Sequence, residues 1–133
     1  MNWIQDRLAE AKKRNITVIA MLHHGLVEHC VGQESLDPGY ITDNWEANSD
    51  ALIDAGLKVI FTGHYHANDI TLRTKGTNTV FDIETGSLVN PPSPYRIITL
   101  DANSMTVETK HITSIDVTFP PTLNFVTYSK KFL

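Results

Sequence analysis

Two pairs of histidines carry the chemistry open to this sequence. His64 and His66 stand in the stretch Phe61-Thr62-Gly63-His64-Tyr65-His66, at the end of the run Lys58-Val59-Ile60-Phe61. His23 and His24 close a second apolar run, Ile16 to Leu22, just before Gly25. Neutral imidazoles are good ligands for borderline ions such as Zn, Fe, Mn or Co. In extended backbone, residues i and i+2 point to the same side, so His64 and His66 are expected to face one site together. The adjacent His23 and His24 are expected to point opposite ways, so that only one joins. Gly63 lets the chain turn close to whatever is bound. Either pair alone also reads as hydrogen-bonded histidines in an ordinary strand-end turn. Their delivery to the carboxyl ends of two strands of one sheet, where open α/β sheets place their sites, favours ligation.

The elements that must position them follow from the pattern of apolar residues. Residues 2 to 14 read as a helix, with Ile4, Leu8 and Ala11 as a stripe, Trp3 beside it, and Lys12, Lys13 and Arg14 near its carboxyl end. Residues 16 to 22 form a continuous apolar run with β-branched members, which suits a strand buried on both faces. Residues 25 to 42 show no period and contain Gly32, Pro38 and Gly39. A loop of this length inside a compact domain is usually functional or mobile. A helix over 44 to 55, capped by Thr42 or Asp43 and ended by Gly56, turns Trp45, Leu52 and Ile53 inward. Residues 58 to 62 give a second buried strand. Beyond His66, the segments 69–74, 79–84, 95–100 and 105–112 alternate or are rich in Ile, Val and Thr, with turn signals between them. The expected architecture is α/β: two helices on one side of two central strands, then a four-stranded antiparallel meander.

The 133 residues allow one domain with a real core, and 41% apolar with 20% charged is a globular composition. No apolar run reaches the roughly 20 residues that a membrane helix needs. The N-terminal segment is amphipathic and charged, unlike a signal peptide, so a cytoplasmic chain is the default expectation. A net charge of −4 gives no nucleic-acid-binding patch, and an anionic substrate would need a local source of positive charge. The single cysteine, Cys30, excludes an internal disulfide and has no base placed beside it by any pattern. His29, in the long loop, is a candidate substrate contact or else a solvated histidine. Asn68 and Asp69 can orient ligand rings as hydrogen-bond acceptors, or simply open the next strand. Ser87 has no triad pattern around it, Arg73 and Arg96 read as solvated strand arginines or else as contacts for a phosphate, and His111 reads as a surface residue of a late strand.

Three stretches resemble the C-terminal half of the calcineurin-like metallophosphoesterases: WIQDRLAEAKKRNITVIAMLHHGL, LIDAGLKVIFTGHYHANDI and ETGSLVNPPSPYRIITLD. The most specific motif is GHxH, preceded at this distance by a strand that ends in histidine. The resemblance spans residues 2 to 112. It implies part of such a domain over 1–113 and a tail, or the start of a following element, over 114–133. It implies a fold of two mixed sheets flanked by helices, with a dinuclear site of Mn, Fe or Zn at the strand ends. His23 and His64 would bind one metal and His66 the other, with His24 as a neighbour. Two such ions, about 3.5–4 Å apart, activate water for in-line attack on phosphorus and supply the positive field that the chain lacks. The implied function is phosphoester hydrolysis.

The family's earlier motifs, D-x-H, G-D and G-N-H-D/E, do not occur in these residues. They supply the bridging carboxylate and the general acid. The chain is therefore expected to be an excerpt or a truncated reading frame, poorly active alone, and either oligomeric or dependent on the missing half. The alternative expectation is a non-catalytic metal-binding or interaction fragment.

Overall fold

The computed structural model describes residues 1–132. The elements run α1 (Asn2–Lys13), β1 (Ala20–Met21), α2 (Gln33–Leu36), a 3-10 turn (Pro38–Tyr40), α3 (Trp45–Asp54), β2 (Val59–Thr62), β3 (Ile70–Lys75), β4 (Asn78–Glu84), β5 (Pro94–Leu100), β6 (Met105–His111), α4 (Phe125–Ser129) and a last 3-10 turn (Lys130–Phe132). The protein is mixed α/β, as the sequence implies. No helix among the described residues is long and apolar enough to cross a membrane. The chain forms two compact units, Met1–Tyr65 with Asp69–Glu84, and His66–Asn68 with the residues from Thr85 onward.

The first unit holds a sheet in the order β1-β2-β4-β3, parallel from β1 through β2 to β4 and antiparallel between β4 and β3. This corrects the expected meander: the four later strands do not form one sheet. The reason lies in β4. Val80, Asp82, Ile83 and Glu84 are all buried, so both of its faces need cover and it takes a central place beside β2. The more polar β3, Ile-Thr-Leu-Arg-Thr-Lys, takes the edge. The first strand is also shorter than its apolar run. Only Ala20–Met21 joins the regular ladder, while Val18 packs against the core.

Cross-strand partners share a face, and the register therefore separates two surfaces. One carries Ala20, Ile60 and Val80, packed with Leu8 of α1 and with Leu52 and Ile53 of α3. Of the stripe read on α1, only Leu8 is buried, and Trp3 is 72% exposed. Arg73 pins α3 to this face. Its Nε donates to Asp50 Oδ1 at 2.7 Å, and its guanidinium lies 5.1 Å from the Trp45 ring centre. The opposite surface is apolar in two rows, Met21, Phe61, Ile83 and Ile70 in one and Val59, Phe81 and Leu72 in the next, and ends in the threonine pair Thr74 and Thr79. Met21, Ile70, Leu72 and Phe81 are exposed there.

In the second unit β5 and β6 pair as an antiparallel hairpin. Its turn is closed by Asp101, whose carboxylate accepts from the Asn103 and Ser104 amides and the Ser104 hydroxyl. Those bonds, the Ser104 hydroxyl first, hold the Asp101 pKa below its ordinary value.

Candidate functional site

The carboxyl ends of β1 and β2 lie side by side. Their ladder runs on past Met21: the Leu22 amide donates to Phe61 O at 3.0 Å, and the Gly63 amide to His23 O at 3.1 Å. That last bond sets His23 against the Gly63-His64 step. The ring centres of His23 and His64 are 4.5 Å apart, those of His24 and His64 also 4.5 Å, and those of His23 and His24 5.2 Å. Three imidazoles form one cluster. The expectation that His24 would point away is corrected. Residues 23 and 24 lie in bends, past the regular strand, where side chains no longer alternate.

The cluster does not follow the H-x-H argument either. His64 has φ of 72° and His66 of 61°, so the backbone between them is not extended and the same-side rule does not hold. His66 is exposed and belongs to the second unit, where Asn90 Nδ2 donates to its Nδ1 at 3.2 Å. Asn68, in the same unit, is exposed. An aromatic pair borders the cluster in the first unit. Tyr40 lies 4.9 Å from the His64 ring and Tyr65 lies 5.2 Å from Tyr40, ring centre to ring centre. Cys30 and Asp37, both able to carry negative charge beside it, raise the Tyr65 pKa above 10.0. Tyr40 was invisible to sequence reasoning because it ends an aperiodic loop.

A second polar group sits under residues 25–42. Toward the carboxyl ends of the strands, the helix-covered face of the sheet changes from Ile60 and Val80 to Thr62, Asp82 and Glu84. Asp82 and Glu84 are both fully buried. Asp82 Oδ2 accepts the Leu26 amide at 2.7 Å and the Val27 amide at 3.0 Å, and its Oδ1 accepts the Thr62 hydroxyl at 2.5 Å. His29 enters this group from the loop. Its Nδ1 lies 3.0 Å from Asp69 Oδ2, and its Nε2 lies 3.6 Å from both Asp82 Oδ1 and Glu84 Oε2. The His29 side chain is 1% exposed, so its ring faces carboxylates rather than a substrate in the surrounding water. Asp69, expected to orient a ligand ring, orients His29. Burial, the largest influence, favours the neutral imidazole. The carboxylates of Asp82 and Asp69 and the charge of Glu84 outweigh it and raise the His29 pKa above 6.5. The signal available in the sequence was an Asp and a Glu inside the otherwise apolar strand Val80 to Glu84.

The three clustered histidines meet one condition for a metal site and miss another. Imidazoles bound to one ion at about 2.0–2.1 Å, at angles of about 90–110°, place their ring centres roughly 4.5–5.2 Å apart, which is the spacing found. Among the described residues, however, no group of three or more His, Cys, Asp or Glu side chains is placed to hold a metal ion. Ring spacing of this kind suits ligation but does not by itself make a metal site. A dinuclear centre, which needs bridging oxygen donors as well, is not fitted by the described residues as they stand. Compared with known protein families and with curated proteins, the chain matches none.

Proposed function

We propose that this chain is the histidine-bearing part of a metal-dependent phosphohydrolase of the metallophosphoesterase type. The observation that supports the reading is the clustering of His23, His24 and His64 at adjoining carboxyl ends of parallel strands. A metal bound there would polarise a phosphoester and neutralise its oxygens. The residues of this chain would hold one ion through imidazole nitrogen. Tyr40, against His64, would limit the freedom of that ring. Carboxylate donors for a second ion would come from a segment outside these residues, so the isolated chain is expected to hydrolyse poorly.

The test is calorimetric titration of the pure chain with zinc or manganese, together with a chromogenic phosphodiester assay. One weakly bound ion, lost in His64→Ala, with turnover at background, is the expected result. No binding by the unaltered chain, or binding indifferent to His64→Ala, overturns the reading. Robust turnover would show that the chain builds a complete site unaided, against the division of labour proposed.

The same reading accounts for the uncovered apolar face of the first unit's sheet. Parallel sheets are covered on both faces in nearly all known folds. The chain is therefore expected to associate, or to take up a partner segment over Met21, Phe81 and Leu72. Light scattering should report a species larger than the monomer. A clean monomer at high concentration with no binding of an apolar dye would refute the expectation.

A further inference from the structure

We propose that His29 is a protonation-controlled latch: as the cationic partner of Asp69, Asp82 and Glu84, it holds residues 28–40 against the sheet, and loss of its proton releases them. The proposal is independent of any metal or phosphoester. It rests on the arrangement of three carboxylate side chains around one buried ring. Three carboxylates approach His29, two of them fully buried, and both ring nitrogens face them. A neutral imidazole carries one N–H, whereas the cation carries two and a charge. Deprotonation would leave the buried Asp82 and Glu84 beside a neutral ring. Removing one partner from a buried charge group is strongly unfavourable, because the remaining charge stays desolvated.

The segment just before β3 contributes Asp69, and β4 contributes Asp82 and Glu84. Within its own segment, Glu28 is engaged by the amides of Gly32 and Glu34, and Cys30 is exposed. Arg73, on the same face of β3, is taken up by Asp50 and Glu46 of α3. His29 is the imidazole that these distances set among the three carboxylates.

The ring is also the anchor of the segment that follows it. The His29 amide donates to the side-chain oxygen of Gln33, which is fully buried at the start of α2. From α2 the chain passes through the 3-10 turn to Tyr40, which lies against His64. Release of His29 would loosen α2 and free Tyr40 from the histidine cluster. Leu26 and Val27 would stay, because Asp82 holds their amides directly. The sign follows from linkage. A pKa raised in the folded state adds stability that is complete below 6.5 and is lost as pH rises through the raised value.

Hydrogen exchange on the full chain tests this, read as protection factors corrected for intrinsic rates. Between about pH 6 and 9, protection of the Gln33, Ser35 and Leu36 amides should fall at least about tenfold, while Leu26 and Val27 keep theirs. Glu84→Gln removes one negative charge and should move the midpoint to lower pH. His29→Gln should give low, pH-independent protection over 28–40. If that variant does not fold, Glu84→Gln and direct NMR titration of the His29 ring still decide. A flat profile in the unaltered chain overturns the latch. So does a His29 midpoint at or below 6.5, or a midpoint unmoved by Glu84→Gln.

Discussion

Asp82→Ala is expected to destabilise the chain by about 3–5 kcal/mol, the range for deleting one partner of a buried charged group. Asp82 is fully buried, and its carboxylate is the acceptor for the Leu26 and Val27 amides and the Thr62 hydroxyl. Alanine leaves those donors in the interior without the acceptor they now use, at about 1–3 kcal/mol for each that water cannot reach. It also leaves His29 beside a smaller carboxylate group. Asp82→Asn keeps one oxygen and the shape but removes the charge, so its cost should be smaller, about 1–2 kcal/mol, the difference between charged and neutral acceptors. Urea unfolding measures both. A fall in midpoint at unchanged slope is the expected form, and an Asp82→Ala variant within 0.5 kcal/mol of the parent would contradict the account.

Ile53→Ala should cost about 2–5 kcal/mol, by lost burial and by the cavity left behind. Ile53 is 1% exposed on α3, in the core formed with Leu8, Leu26, Leu57, Ile60 and Val80. That core gathers residues from α1, the long loop, α3, β2 and β4, so little of it can collapse to fill the space. Trp3→Ala is the useful contrast. The larger side chain is removed, yet it is 72% exposed and the change should stay within about 0.5 kcal/mol. A thermal scan in which the two variants shift equally would mean that packing about Ile53 is looser than described.

The parts of the fold set by local pattern were legible. The helices over 2–13 and 45–54 and the strands over 59–62, 70–75, 78–84, 94–100 and 105–111 lie where periodicity and turn residues place them. Strand order was not legible, because it depends on which strand must be covered twice. Burial on both faces, Val80, Asp82 and Glu84 on one and Ile83 on the other, is what sets β4 beside β2. At the histidines the failure was conformational. Sequence spacing predicts direction only while the backbone stays extended, and residues 23, 24, 64 and 66 all lie beyond the strands. His24 joined His23 and His64 for that reason. His29 illustrates a different limit: a histidine in an aperiodic loop gives no hint that three carboxylates, 40 or more positions further along the chain, will close around it.

The left-handed backbone at His64 and His66 bears on what the two rings cost the turn. An L-residue other than glycine or asparagine in that region costs roughly 1–2 kcal/mol. Glycine would relieve the backbone at both positions, at the loss of the His64 ring contacts with His23, His24 and Tyr40 and of the Asn90 bond to His66. Backbone strain and retention of these imidazoles are therefore opposed at two positions of one short turn, and what the rings do there is set against what the backbone prefers.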